Sequence, residues 1–366
     1  MKRYGHLMPQ MLSDENILKA IHEVNKTHRW GRHHKPNRCV CWVERTLPKR
    51  VEELRDILAN GFSPSPARRR TIWDVSSQKY RDIYEPRLWP DQYIHHALIQ
   101  VIEPVIMRGM DYWNCGSIPG RGSKRGIRGI RKWLREDTKG TRYCAELDIR
   151  HFYQSLLPYV VLRQLRRKIK DERVLSLCRE VMTDGVPIGC YCSQWFANAV
   201  LEPLDRMLRE SGFIDHSVRY MDNLTLFASS KKRLRKATHA VRLWLIHHEM
   251  TLKDDWQIFP VSKRMPQAMG YRYGRNYIVP RKRTMLRFKR ACNRVIKRGR
   301  ATLRQARSIL SRLGGFRQCR VRCVRDRWMS PIGGDKMLKR IVRLADVQKH
   351  QRNYLKERGS PCPMLL

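Results

Sequence analysis

Apolar residues recur at helical spacing over residues 13–28, where Ile17, Ala20, Ile21 and Val24 share one face and Ser13 stands where it can cap the first turn. That pattern predicts an amphipathic helix near the N-terminus. A second helical pattern, Ile94, Ala97, Leu98, Val101, Ile102 and Val105, runs through residues 91–110. Val160 to Met182 reads as one long basic helix, Ser193 to Leu208 as helix in spite of Pro203, and the basic stretch from Arg281 to about residue 313 as helix again. Shorter β-favouring runs lie between. Thr71 to Val75 follows a break rich in proline and charge, and residues 143–149 end in a carboxylate, Asp148. Residues 217–227 hold two β-favouring runs around a polar pair, which predicts a hairpin with Asp222 and Asn223 at its bend. Gly116 to Ser123 and Asp184 to Gly189 are loop. Many helices with a few short strands make an α+β chain, and no internal repeat is visible.

Charge changes the picture more than length does. The 366 residues carry 76 Lys and Arg against 33 Asp and Glu, a formal charge of +43 spread along the whole chain. Self-repulsion on that scale asks for a polyanion, and nucleic acid supplies one through phosphate neutralisation and counterion release. The N-terminal residues lack the apolar core of a secretory signal, and apolar runs such as Leu156 to Leu162 are far shorter than a membrane span. We therefore expect a cytoplasmic protein with no membrane partner. The eleven cysteines are scattered with no Cys-x-x-Cys pair, so reduced thiols are expected rather than a disulfide framework.

In a chain with so few acids, an aspartate at a strand end and another at a hairpin bend stand out. Nucleotidyl transfer needs two divalent cations about 3.5–4 Å apart, and hard cations take oxygen ligands, usually carboxylates. Singly, Asp148 and Asp222 are ordinary turn or capping residues; together, with what surrounds them, they are much more specific.

Leu147-Asp148-Ile149-Arg150-His151-Phe152-Tyr153 resembles the first catalytic block of reverse transcriptases, and Tyr220-Met221-Asp222-Asn223 their Tyr-x-Asp-Asp hairpin. Pro187 to Asn198 is similar to the block beneath template and incoming base, and Lys79, Arg81, Ile83, Pro86 and Asp91 to the fingers block. Met269-Gly270-Tyr271 resembles the primer grip. These five ordered blocks cover roughly residues 70–275. The Ile-Gly-x-x-x-Ser-Gln form at residues 188–194, with a degenerate thumb block at Leu313 to Cys319, resembles the diversity-generating-retroelement type.

The resemblance implies a right-hand polymerase: an N-terminal helical region and fingers at residues 1–142, a palm with a small antiparallel sheet at 143–280 (with a helical insertion at about 157–187), and a basic helical thumb and tail at 281–366. It implies an RNA-directed DNA polymerase using two Mg²⁺ ions, or Mn²⁺, on Asp148, Asp222 and the Ile149 carbonyl, with Asn223 completing the catalytic hairpin. Lys79, Arg81, Arg121, Tyr153, Ile188 and Gly189 would contact the deoxynucleotide, with Tyr153 as the gate against a ribose 2′-hydroxyl. Ser193, Gln194, Gly270, Tyr271, Arg287, Lys289, Arg290 and Arg294 would contact the RNA template and the RNA/DNA primer duplex. A structured non-coding RNA, a small basic accessory protein or a second copy of the chain are the implied partners, in a bacterial or phage-encoded setting.

Departures from the pattern keep alternatives open. Asn223 replaces the second aspartate, Ile118 the usual arginine before Pro-Gly, and the stretch Lys253-Asp254-Asp255-Trp256 leaves the proton donor to pyrophosphate open. An antiphage defence enzyme is one rival; a catalytically impaired, polymerase-derived RNA-binding scaffold is another.

Overall fold

The computed structural model describes residues 3–30, 35–74, 79–182 and 185–358. The chain divides into two compact units, Met1–Gly129 with Lys139–Pro260, and Ile130–Thr138 with Val261–Leu366.

The first unit opens with α1 (Leu7–Met11), α2 (Asp14–His28), α3 (Arg38–Arg45) and α4 (Leu47–Asn60). Ser13 caps α2 by accepting the Asn16 N–H at 3.3 Å, and the buried face of that helix is Ile17, Ala20, Ile21 and Val24. An antiparallel ribbon follows, β1 (Arg68–Asp74) with β2 (Lys79–Glu85), in a register that sets Asp74 opposite Lys79. Beyond it α5 (Tyr93–Met107) is buried on most of its surface, and α6 (Gly122–Glu136) starts in this unit, its residues from Ile130 onward belonging to the second.

That strand, β3 (Tyr143–Arg150), precedes α7 (Phe152–Ser155), α8 (Pro158–Arg166), α9 (Glu172–Met182) and α10 (Ser193–Glu210). Then come β4 (His216–Tyr220), β5 (Asn223–Ala228), α11 (Lys231–His247), β6 (Thr251–Leu252) and β7 (Gln257–Pro260). In the five-stranded sheet β3 pairs β5 along one edge and β6 and β7 along the other, all antiparallel. Cys144, Ala145, Leu147 and Ile149 are buried on β3, as expected of a strand in the middle of a sheet. The sheet and helices α2, α5, α8, α9, α10 and α11 share one apolar core.

In the second unit β8 (Gln267–Ala268), β9 (Tyr271–Tyr273) and β10 (Ile278–Pro280) form an antiparallel sheet. Four helices follow: α12 (Lys282–Arg298), α13 (Leu303–Phe316), α14 (Arg322–Met329) and α15 (Gly334–Arg358). Their core is Phe288, Cys292, Ile309, Phe316, Met329 and Leu338, with Phe288 and Phe316 edge to face at 4.9 Å. The chain is thus α+β with antiparallel sheets. Among the described residues no helix is long and apolar enough to cross a membrane.

Two local expectations are corrected. The single helix over 160–182 is two helices, because Tyr4 pairs with Ile169 and Lys168 turns inward to donate to the carbonyls of Ile106 (2.9 Å) and Arg108 (2.6 Å). The hairpin bend is Met221-Asp222, one residue earlier than predicted, because Tyr220 pairs with Asn223, which already belongs to β5.

Candidate active site

Asp148 lies one turn of pleat before the end of β3, and the register places it opposite Asn223, the first residue of β5. Asp222 therefore sits at the hairpin end beside Asp148. The two-residue turn is tight, with Met221 at φ 57°, a backbone conformation uncommon outside glycine and asparagine. Gly116 makes room for it: a Cβ there would lie 2.3 Å from the Met221 nitrogen and 3.0 Å from its Cα. The glycine is needed for this close approach of two backbones.

Lys253 follows β6 and reaches the same place. Its N–H donates to the Asp148 carbonyl at 2.9 Å, and its ammonium meets Asp148 Oδ2 at 2.5 Å. Asp148 Oδ1 is buried without a hydrogen-bond partner. The Asn223 amide donates to Asp222 Oδ1 at 2.9 Å. Burial, and next the charge of Asp148, raise the proton affinity of Asp222. An orphaned carboxylate oxygen beside a second carboxylate whose charge is unwelcome without compensation fits a hard divalent cation. Among the described residues no group of three or more His, Cys, Asp or Glu gathers for a metal, so this site is a two-carboxylate one.

Tyr153, on α7, packs partly against the core; burial, then the charge of Asp222, push its phenol up to about 12. The ring thus stands within electrostatic reach of the Asp222 carboxylate. Tyr153 also lines a cavity of about 720 Å³ whose other walls include Pro66, Tyr84, Asp91 and Ile188. Ile188 is stitched to the β1–β2 ribbon, its carbonyl accepting the Tyr84 N–H at 2.8 Å. Gly189, at φ 117°, lets the loop approach: a Cβ would meet the Tyr84 carbonyl oxygen at 2.4 Å.

The remaining predicted residues fall into several places. Ser193 is buried, its hydroxyl donating to the Pro187 carbonyl at 2.6 Å across the loop before α10. Lys79 is exposed on β2, whereas the Arg81 guanidinium is engaged by Asp74 at 2.8 Å. Arg121 donates to the Asp111 carbonyl at 2.5 Å, and burial, then Arg125, lower its proton affinity. Gln194 is half-buried at the start of α10.

In the second unit Met269 (φ 50°) and Gly270 (φ 86°) form the two-residue loop between β8 and β9. The Tyr271 hydroxyl donates to the Gly315 carbonyl at 2.9 Å, joining the two sequence blocks that hold them. Lys289, Arg290 and Arg294 are exposed on α12, and Arg287 is half-buried.

Sequence reasoning left Lys253 undecided and missed the role of Gly116 and of Arg219, a cation inside a β-strand. That last oddity was a usable signal: a charge at an inward position of a buried strand needs a dedicated partner.

Comparison with known proteins follows the same residues. The sequence profile of the family described as reverse transcriptase (RNA-dependent DNA polymerase) matches residues 69–258. Protein YkfC of Escherichia coli (strain K12) is 26% identical over 184 residues, 46% of this chain and 48% of that protein. The chain thus matches about half the length of this curated relative. Among solved structures, apo telomerase from Candida tropicalis, truncated of its C-terminal domain, gives a TM-score of 0.46 at 11% identity, over 62% of this chain and 59% of the other. Telomerase from Candida albicans in complex with a fragment of telomeric RNA gives 0.47 at 11% identity, over 69% and 55%.

Proposed function

This chain belongs to the reverse transcriptase family, and we propose that it copies a dedicated RNA template into DNA, as the polymerase of a diversity-generating retroelement. The observation that carries the reading is the juxtaposition of Asp148 and Asp222 across β3 and the β4–β5 turn, with Tyr153 in electrostatic reach. We place the fingers before residue 143, the palm at 143–280 and the thumb from 281.

Asp148 and Asp222, with the Ile149 carbonyl, would hold two Mg²⁺ ions, Mn²⁺ being a second choice. Bound there, the cations would stabilise the attacking oxygen and the charge developing on the triphosphate. The transfer joins the primer 3′-oxygen to the α-phosphorus and breaks the bond to pyrophosphate. The proton of the 3′-hydroxyl would pass to solvent water, and the leaving pyrophosphate would gain one. Lys253, whose ammonium already reaches Asp148, would be that donor.

Lys79 and Arg81 would neutralise the triphosphate once Arg81 leaves Asp74, with Arg121 as a further cation. Tyr153 would exclude a ribose 2′-hydroxyl. Ile188 and Gly189 would lie beneath the nascent base pair, where an aliphatic side chain makes no hydrogen bond to the bases. We infer looser base selection from that, and cDNA from a defined RNA copied faithfully at every adenine would refute it. Gln194, Gly270, Tyr271 and the exposed cations of α12 would hold template and primer. A structured RNA and a small basic accessory protein, or a second copy of the chain, would complete the assembly in a bacterial cytoplasm.

Primer extension by the purified protein, with any copurifying RNA, deoxynucleotides and Mg²⁺ or Mn²⁺, tests the reading against an Asp222→Ala control. Synthesis lost in the control supports the polymerase. Tight RNA binding without synthesis in either metal would favour an RNA-binding scaffold, disabled by Asn223.

A further inference from the structure

We propose that Arg219, held by Asp205 and Asn198, is a positioning residue that fixes the peptide plane joining Met221 to Asp222. The inference rests on reading that turn as the metal-binding corner of the site. Arg219 lies on β4 and is only 3% exposed. A buried guanidinium is tolerated only when its donors are matched. Asp205 on α10, itself buried, takes two of them, Nε at 2.8 Å and Nη2 at 2.7 Å, in the planar fork that favours Arg over Lys.

The third arm is aimed at the turn. Arg219 Nη1 donates to the Met221 carbonyl at 3.0 Å and to Asn198 Oδ1 at 3.1 Å. Asn198 Nδ2 in turn donates to the Gly116 carbonyl at 2.9 Å, and Asn114 Nδ2 to Asn198 Oδ1 at 3.1 Å. The backbone closes the ring: the Cys115 N–H donates to the Arg219 carbonyl at 2.8 Å, and the Arg219 N–H to the Trp113 carbonyl at 3.1 Å.

A buried ion pair serves stability no better than apolar residues of the same volume, so its presence here calls for another reason. The Met221 carbonyl supplies one. It belongs to the peptide immediately before Asp222, and Met221 is held at φ 57°. Released from Arg219, that peptide can rotate toward a commoner backbone conformation and swing the Asp222 carboxylate away from Asp148.

The test uses the full chain. Arg219→Lys keeps a buried cation opposite Asp205, but an ammonium lacks the fork that serves Asp205 and Met221 together. Asn198→Ala removes one arm without touching either charge. Arg233→Lys is the control: Arg233 braces the far end of the same hairpin through Asp215 at 2.9 Å. Single-turnover rate, KM for the deoxynucleotide, and Mn²⁺ affinity by electron paramagnetic resonance without substrates are compared, with Asp222→Ala defining the signal of the site.

Arg219→Lys should slow the single-turnover step by about 100-fold while KM moves by less than about threefold, as a misplacement near 1 Å would do. It should weaken Mn²⁺ about tenfold, with Asn198→Ala shifting both the same way by less. Arg233→Lys should leave both within about twofold, whatever its melting temperature. Wild-type Mn²⁺ affinity in Arg219→Lys and Asn198→Ala proteins that still bind RNA normally would overturn the inference and leave the network as scaffold. Should Arg219→Lys fail to fold, Asn198→Ala decides. Because the Mn²⁺ signal needs no polymerisation, an inactive wild-type protein would sink the polymerase reading while this inference is still judged on the metal.

Discussion

Replacing Gly116 by alanine puts a methyl group against the backbone of the turn that carries Asp222. The new Cβ would stand 2.3 Å from the Met221 nitrogen, 2.7 Å from its Sδ and 3.0 Å from its Cα, where ordinary contact begins at 3.4 Å. The sulfur can swing aside, but the nitrogen and Cα cannot. The turn must therefore retreat by about 1 Å, and overpacking of this kind costs roughly 1–3 kcal/mol of stability. Asp222 is the next residue, so the displacement passes directly to the carboxylate that we assign to the metal. A shift of about 1 Å at a reacting centre is worth about 100-fold in rate, or roughly 2.7 kcal/mol of barrier. The assay is single-turnover incorporation of one deoxynucleotide at saturating concentration, beside thermal unfolding and RNA binding. We expect a folded, RNA-binding protein about two orders of magnitude slower than wild type. A Gly116→Ala protein within about threefold of the wild-type rate would refute the reasoning, since the turn would then have absorbed the methyl without moving Asp222.

Three further outcomes follow from the site. Tyr153→Ala should raise ribonucleotide incorporation relative to deoxynucleotide by about tenfold or more, measured by competition on one template; an unchanged ratio would assign the ring to packing. Lys253→Ala should slow incorporation by about 100-fold, and Lys253→Arg should restore the ion pair to Asp148 without the rate, because a guanidinium does not release a proton. Full activity in the arginine variant would reduce Lys253 to a counter-ion. Arg290→Ala, at an exposed position of α12, should weaken duplex binding modestly and flatten the slope of log affinity against log salt by about 0.9, as loss of one phosphate contact does. An unchanged slope would place Arg290 away from the nucleic acid.

Features with a local cause were legible in the sequence. Ser13 caps α2 because an N-cap needs nothing beyond its own helix, and β3 shows as a short run from Tyr143 to Ile149 that ends near a carboxylate. The order of the blocks gave the family, and the mixture of strands and helices gave the α+β class. What failed had distant causes. No pattern within Val160 to Met182 says that Tyr4 will pair with Ile169 or that Lys168 will reach Ile106, and those contacts split the predicted helix. The bend of the hairpin falls one residue earlier because Tyr220 pairs with Asn223, and the tight turn this leaves at Met221 needs the space at Gly116, 105 positions away.

Placement of charge around the site follows the same rule. Asp148, on β3, and Asp222, in the turn between β4 and β5, lie side by side in a chain carrying +43. Lys253 takes one oxygen of Asp148, while the Asn223 amide takes one oxygen of Asp222. With aspartate at position 223, as in the family pattern, Asp222 would lose that donor and gain a like charge beside it. Asn223 therefore steadies Asp222 by a hydrogen bond, and on the proposed function it does so at the expense of a negative charge that would hold a cation more tightly. On the proposed function, such a site would keep the geometry of the hairpin without metal, and its carboxylate pair, with the buried Arg219 behind the turn, would receive one.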